Sequence, residues 1–287
     1  MDQRIIDLYD EYTHAPLPRR EFLSRLAVLA GGAAAATALL PLLENNYAKA
    51  AIVQPDDARL TTERVTYPGA TGPVKGYLVR PKATTGNIPG VIVIHENRGV
   101  NPHIEDIARR VAVEGFAALA VDLLSPQGGT PANQDTAREM FAKIDRPSAV
   151  RDLVAAVAYL KGRPGASGKV GAIGFCWGGD MVNLLATQSP DLAAGVVFYG
   201  LSPPALDAAR IKAQMLLHYA GLDPRVNSTV PAYEEALKAA GVRYVKYVYE
   251  NAQHAFNNDT STERYSPPAA KLAWERTVTF LKTTLLG

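Results

Sequence analysis

An apolar run, Val170 to Ile173, is joined to the apolar-periodic run that begins at Met181 by little more than Gly174-Phe175-Cys176-Trp177-Gly178-Gly179. The first run has the length and composition of a buried strand, the second the spacing of a helix. A strand-to-helix turn this short forces its central residue into strained backbone, and glycines two positions before and after it remove Cβ atoms that would collide. The pattern G-x-nucleophile-x-G presents a nucleophile at a helix N-terminus, where unpaired N–H groups favour an anion. Here cysteine stands where serine is more usual. A lone cysteine in an apolar setting is also a common packing residue, so the turn alone leaves catalysis and packing both open.

Around this turn the chain alternates. Val65–Tyr67 and Lys75–Val79 have the pattern of an antiparallel pair at a sheet edge. Val91–Ile94, Ala117–Val121, Val196–Tyr199, Met215–Tyr219 and Tyr244–Tyr249 read as further strands. Between them, helical spacing runs from Ile104 to Ala112, over 132–144 and 148–162, from Val230 to Ala240 and from Pro267 to Leu285. Strand–helix alternation predicts an α/β fold with a mostly parallel sheet and right-handed crossovers. Functional groups in such a sheet gather beyond the carboxyl ends of the strands. Glu96, Cys176, Asp223 and His254 all follow directly after expected strands.

The first fifty residues read as a separate segment. Arg19-Arg20-Glu21-Phe22-Leu23 precedes an alanine-rich apolar run from Leu26 to Leu43 and then Ala48-Lys49-Ala50. Paired arginines, an apolar stretch and a small-x-small site are the parts of a twin-arginine export signal. Cleavage is expected after Ala50, leaving residues 51–287 as one domain, periplasmic or secreted, with the export machinery as a partner and no stable membrane insertion. An uncleaved amphipathic helix or a membrane anchor would use the same residues. With one cysteine, the chain forms no internal disulfide, and a net charge of +2 without a basic cluster excludes nucleic acid as an expected partner.

A thiol that attacks an acyl carbon needs a base, and the base needs an orienting carboxylate. Nucleophile, acid and histidine in that chain order are supplied by Cys176, Asp223 and His254. Of the other histidines, His14 lies in the export segment, His218 within a strand, and His95 before the nucleophile, where it could line the site. His103 opens a helix and is expected at the surface. No close run of His, Cys or carboxylate residues suggests a metal, and the glycine turn lacks the marks of a phosphate loop, so no cofactor is expected.

The elbow, the following Asp223 and His254, and strand-end Glu96 together resemble the dienelactone hydrolase family, from about residue 63 to the C-terminus. The segment His95 to Arg110, joined to the leader, looks like an exported bacterial subgroup of carboxymethylenebutenolidases. The resemblance implies a single-domain α/β-hydrolase fold with helices on both faces of the sheet, and a small ester or lactone as substrate. It assigns Cys176 as nucleophile, His254 as base and then acid, Asp223 as orienter, and the N–H groups of Trp177 and Asn97 as the oxyanion hole. Glu96 would contact the resting thiol and keep it neutral. Family members that clamp a substrate carboxylate carry an arginine four residues after the histidine, where this chain has Asn258. Arg98, Arg138 and Tyr199 are the remaining candidates for substrate contact, and the loops Pro126–Asn133 and Asn257–Pro268 for a cover. The same triad is compatible with promiscuous hydrolysis of aryl or phosphate esters. A thiol-sensing or binding protein would need the cysteine without the turnover.

Overall fold

The computed structural model describes residues 1–14, 17–47, 51–84 and 86–287; the expected cleavage site at residues 48–50 lies outside them. Three helices come first, α1 (Gln3–His14), α2 (Arg19–Ala30) and α3 (Ala33–Leu43). The α/β part follows as β1 (Leu60–Pro68), β2 (Pro73–Pro81), β3 (Ile88–Ile94), α4 (Pro102–Val113), β4 (Ala117–Asp122), α5 (Gln134–Phe141), α6 (Arg146–Lys161) and β5 (Ala166–Phe175). It ends with α7 (Trp177–Gln188), β6 (Leu192–Phe198), β7 (Gln214–Ala220), α8 (Pro224–Asn227), α9 (Val230–Ala239), β8 (Tyr244–Tyr249) and α10 (Pro267–Leu285).

The eight strands form one sheet in the order β1-β2-β4-β3-β5-β6-β7-β8, antiparallel at β1–β2 and β2–β4 and parallel from β4 onward. From β3 the chain steps to β4 on one side and then to β5 on the other. That reversal opens a crevice at the carboxyl ends of β3 and β5. β3 and β4 are buried along their whole length, as their continuous apolar runs require. One face is covered by α6, α7 and α9 through residues such as Leu153, Leu185 and Leu237, the other by α4 and α10 through Ile107 and Leu281.

Two helices differ from the expected 132–144 and 148–162 because local caps set their ends. Asn133 accepts from the Thr136 N–H and Asp145 from the Ser148 N–H, so α5 starts at Gln134 and α6 at Arg146. α7 starts at Trp177, four residues before Met181, which makes the elbow tighter than the apolar periodicity indicated.

The N-terminal helices pack with the rest of the molecule. Tyr9, Tyr12, Phe22 and Leu26 are buried in a cluster of their own, each contributing about 1.5–3 kcal/mol of burial. Tyr12 stacks on Phe22 with ring centroids 4.2 Å apart. α1 is tied to the domain by Gln3 with Gln253, Asn97 Nδ2 to the Thr13 carbonyl at 2.6 Å and Arg138 to the Tyr12 carbonyl at 3.2 Å. Within the segment expected to be an export signal Phe22 is fully buried, while Arg19 pairs with Asp135 at 2.9 Å. Among the described residues no single helix is long and apolar enough to cross a membrane; α2 and α3 reach that length and composition only as a pair bent by 110°.

Candidate active site

Cys176 sits between β5 and α7 with φ 55° and ψ −120°, a strained conformation for a residue with a Cβ. The turn survives because the residues two positions to either side, Gly174 and Gly178, lack side chains. A Cβ on Gly174 would lie 2.0 Å from the Gly178 carbonyl oxygen, and one on Gly178 would lie 2.4 Å from the Ile94 carbonyl oxygen. The Cys176 N–H donates to the Phe198 carbonyl at 2.9 Å, and its own carbonyl accepts from Gly179 and Asp180, so the elbow is pinned at both ends. As the first residue of α7, Trp177 has an N–H with no helical carbonyl to bond.

Asp223 caps α8 after β7, and His254 follows β8. His254 Nδ1 meets Asp223 Oδ2 at 2.5 Å, both groups are buried, and His254 Nε2 is a buried nitrogen with no partner among the described residues. Its ring stands against Tyr199, 5.0 Å between centroids. Tyr199 has φ 41° and a buried, unpaired hydroxyl. Burial, then the charges of Glu96 and Cys176, push its phenol well above the ordinary value.

The thiol is bonded to a residue that the sequence set aside. His14 Nε2 lies 2.9 Å from Cys176 Sγ, and its Nδ1 lies 2.8 Å from the Asp10 carbonyl and 3.1 Å from the Asp10 carboxylate. Burial pulls this imidazole down, but the thiolate charge and the hydrogen bonds to Asp10 and to the thiolate outweigh it and raise it to about 9. The ligand atoms of His14, Cys176 and His254 lie within 4.8 Å of one another, a cluster invisible in sequence because its members are distant in the chain.

Other expected residues are placed differently. Glu96 is near the thiol, but its Oε2 accepts from Asn258 Nδ2 at 2.8 Å and its Oε1 is unpaired. Asn258, at the position of the family's arginine, is buried and holds Glu96. Arg98 contacts the Tyr9 hydroxyl at 3.4 Å, and Arg138 lies over the Tyr12 ring at 4.2 Å, so both face α1. His103 is buried and pairs with Asp259 at 2.9 Å, contrary to the surface position expected of it, because α4 turns that face onto the C-terminal loop. His95 lies behind the site: its Nε2 accepts from the Leu123 N–H and its ring stacks on Trp177. His218 is the core histidine expected, between Thr277 and the Tyr249 hydroxyl.

α1 covers the thiol through His14, and Asn257, Asn258, Thr260, Ser261 and Arg264 of the 257–268 loop are buried. With α1 seated, the pocket bordered by Glu96, Cys176 and His254 retains about 10 Å³, room for about one water. A larger cavity of about 300 Å³ lies between α1 and the loops carrying Asp223 and His254. Arg264 borders both spaces, its guanidinium over Tyr9 at 4.9 Å. Sequence reasoning missed it for lack of any motif around it.

The sheet order, the elbow and the strand-end site define an α/β-hydrolase. The sequence profile of the dienelactone hydrolase family matches residues 74–285, and the chain belongs to that family. A protein from Methylorubrum extorquens named "Putative carboxymethylenebutenolidase" is 36% identical over 76% of this chain and 79% of its own length. A crystal structure from Klebsiella pneumoniae described as "Putative Dienelactone Hydrolase" is 30% identical with TM-score 0.69, covering 77% of this chain and 97% of that one. A dienelactone hydrolase-like promiscuous phosphotriesterase from metagenomic libraries is 28% identical with TM-score 0.71, covering 79% and 100%. A second profile, described as YqhI-like, matches residues 1–32, the stretch that contains α1 and α2.

Proposed function

We propose that this chain hydrolyses a small carboxylic ester or lactone, of the carboxymethylenebutenolidase type, through a thioester on Cys176. The observation that carries the reading is the buried, unpaired His254 Nε2 near the thiol, with Nδ1 tied to Asp223 at 2.5 Å. An imidazole anchored in this way keeps its Nε2 lone pair for the thiol proton. The thiolate adds to the carbonyl carbon, and the N–H groups of Trp177 and Asn97 receive the oxyanion, each donor worth on the order of 3 kcal/mol. Collapse expels the alkoxide, which takes the proton from His254, and water activated by the same imidazole then cleaves the thioester.

Because α1 fills the space an acyl group needs, turnover requires α1 to move. While it is seated, Cys176 is held by His14, and Glu96, with Oε1 unpaired, borders the same pocket. Arg98 and Arg264, both buried beside the thiol pocket, supply the positive charge that Asn258 does not, which favours substrates bearing a carboxylate. The likeness to a promiscuous phosphotriesterase favours a side activity on aryl and phosphate esters by the same residues.

The intact chain and its Cys176→Ala variant, assayed on p-nitrophenyl acetate, a simple lactone, dienelactone and a phosphotriester, test the reading. Turnover of an ester or lactone that falls by about a thousandfold or more in the variant is expected. Turnover that survives the substitution overturns it, and no turnover with Cys176 still alkylated favours the thiol-sensing or binding protein. Export to the periplasm or medium through the twin-arginine machinery is the companion proposal. Cell fractionation of the chain and its Arg19→Lys, Arg20→Lys variant tests it, with retention of the variant in the cytoplasm expected.

A further inference from the structure

Two histidines, their rings edge to face with centroids 4.7 Å apart, meet beside one cysteine. His14 Nδ1 is committed to the carbonyl and carboxylate of Asp10, and His254 Nδ1 to Asp223. Carboxylate behind imidazole is the outer shell that fixes tautomer and ring orientation at metal sites, leaving Nε2 to bind. His14 Nε2 lies 2.9 Å from Sγ, and His254 Nε2 is buried without a partner among the described residues, while His254 as a whole is 5% exposed. The three ligand atoms already lie within 4.8 Å of one another.

We propose that His14, Cys176 and His254 form a zinc site that fastens α1 over the nucleophile. Zinc takes two imidazoles and a thiolate at about 2.0–2.1 and 2.3 Å, which sets the ligand atoms about 3.5 Å apart in a tetrahedron. Shifts on the order of 1 Å reach that geometry from the separations present. The hydrogen between His14 Nε2 and Sγ occupies the place of the metal and leaves as a proton when zinc enters. A fourth, water position fits the roughly 10 Å³ that remains beside these residues. Thiolate with imidazole selects a borderline-soft cation over calcium or magnesium, and Asp10, Asp223 and Glu96 add negative charge around it. Occupancy takes both the thiolate and the His254 lone pair, so the closed form is inactive. That last consequence rests on the hydrolase reading above; the site itself does not.

The test uses the intact chain, stripped with a chelator and titrated with Co²⁺ as the spectroscopic stand-in for zinc. One equivalent is expected to give a thiolate-to-cobalt absorption band that added Zn²⁺ removes, with the band absent in Cys176→Ala. Affinity is expected to fall about 100-fold or more in His14→Ala and in His254→Ala, and about 10–100-fold in Asp10→Asn. Binding of no cobalt by a folded chain whose thiol is shown to be reduced, by stoichiometric alkylation of a parallel sample, overturns the site. Equal affinity in both His14→Ala and Asp10→Asn overturns it as well, since the ion would then be held without α1. Ester turnover by the stripped chain is measured in parallel: cobalt binding without turnover removes the hydrolase reading and leaves the site, and turnover without cobalt binding does the reverse.

Discussion

At Cys176 the backbone strain and the chemistry have one origin. The residue is turned into φ 55° so that its side chain faces the crevice, and two glycines make the turn possible by backbone contact, with no help from positive φ of their own. Gly174→Ala therefore has nowhere to put its methyl group, since the atom 2.0 Å away is a backbone oxygen that no rotamer change can move. A loss of roughly 2–4 kcal/mol is expected in urea unfolding. An unchanged midpoint would mean the elbow adapts. Asn258 makes the complementary case. Among the described residues its amide is the only hydrogen-bond partner of the Glu96 carboxylate, so Asn258→Ala leaves a buried acid unpaired and is expected to cost about 1–3 kcal/mol by the same measurement. The residue type at 258 was visible in the sequence; its partner was not, because pairing across the site depends on how the 257–268 loop folds back toward the end of β3.

Among the elements, the strands and their helices were legible because burial on both faces leaves continuous β-branched runs, and amphipathic spacing marks the helices that cover them. Helix ends were legible less well, since a single cap such as Asn133 moves them. α1 was missed as part of the site for a different reason. Asp10 and His14 fall one turn apart on α1, ahead of the paired arginines of α2 and the apolar run that dominate the reading, and only tertiary packing brings them to Cys176. If α1 covers the thiol, weakening its seat exposes the thiol. Tyr12 is the residue to remove: it is 2% exposed, stacks on Phe22 and carries the Arg138 guanidinium on its face. Tyr12→Ala takes away about 3 kcal/mol of docking, on the order of a hundredfold in the open population. In metal-free protein the rate of Cys176 alkylation by iodoacetamide should rise by up to that factor. The same rate in both proteins would show that α1 does not limit access.

For the molecule as a whole, His218 sets part of the pH response. Burial, then the Arg276 charge, hold its imidazole down at about 3, against about 6.5 in an unfolded chain. Below pH 6.5 the unfolded state takes up a proton that the folded state refuses, so stability falls as pH drops toward 3, by up to about 1.4 kcal/mol per unit. Unfolding midpoints between pH 7 and 4.5 should fall less steeply in His218→Gln; equal slopes would remove His218 as the source.

Processing acts on the same scale. Cleavage after Ala50 would remove α1, α2 and α3 together, and with them His14, Asp10 and the aromatic cluster that seats the cover. What remains contains all the residues matched by the family profile, and the Klebsiella relative folds on a chain of which 97% corresponds to 77% of this one. The two forms should then differ in kind. The intact chain keeps its thiol covered and holds cobalt through three ligands; a chain beginning at residue 51 has an open crevice, faster alkylation and two ligands only. Side by side, the shorter form should turn over esters with a lower KM and lose the tight cobalt band. If both forms alkylate at the same rate and bind cobalt equally, the N-terminal helices do not govern the site, and their packing on it has no consequence for access.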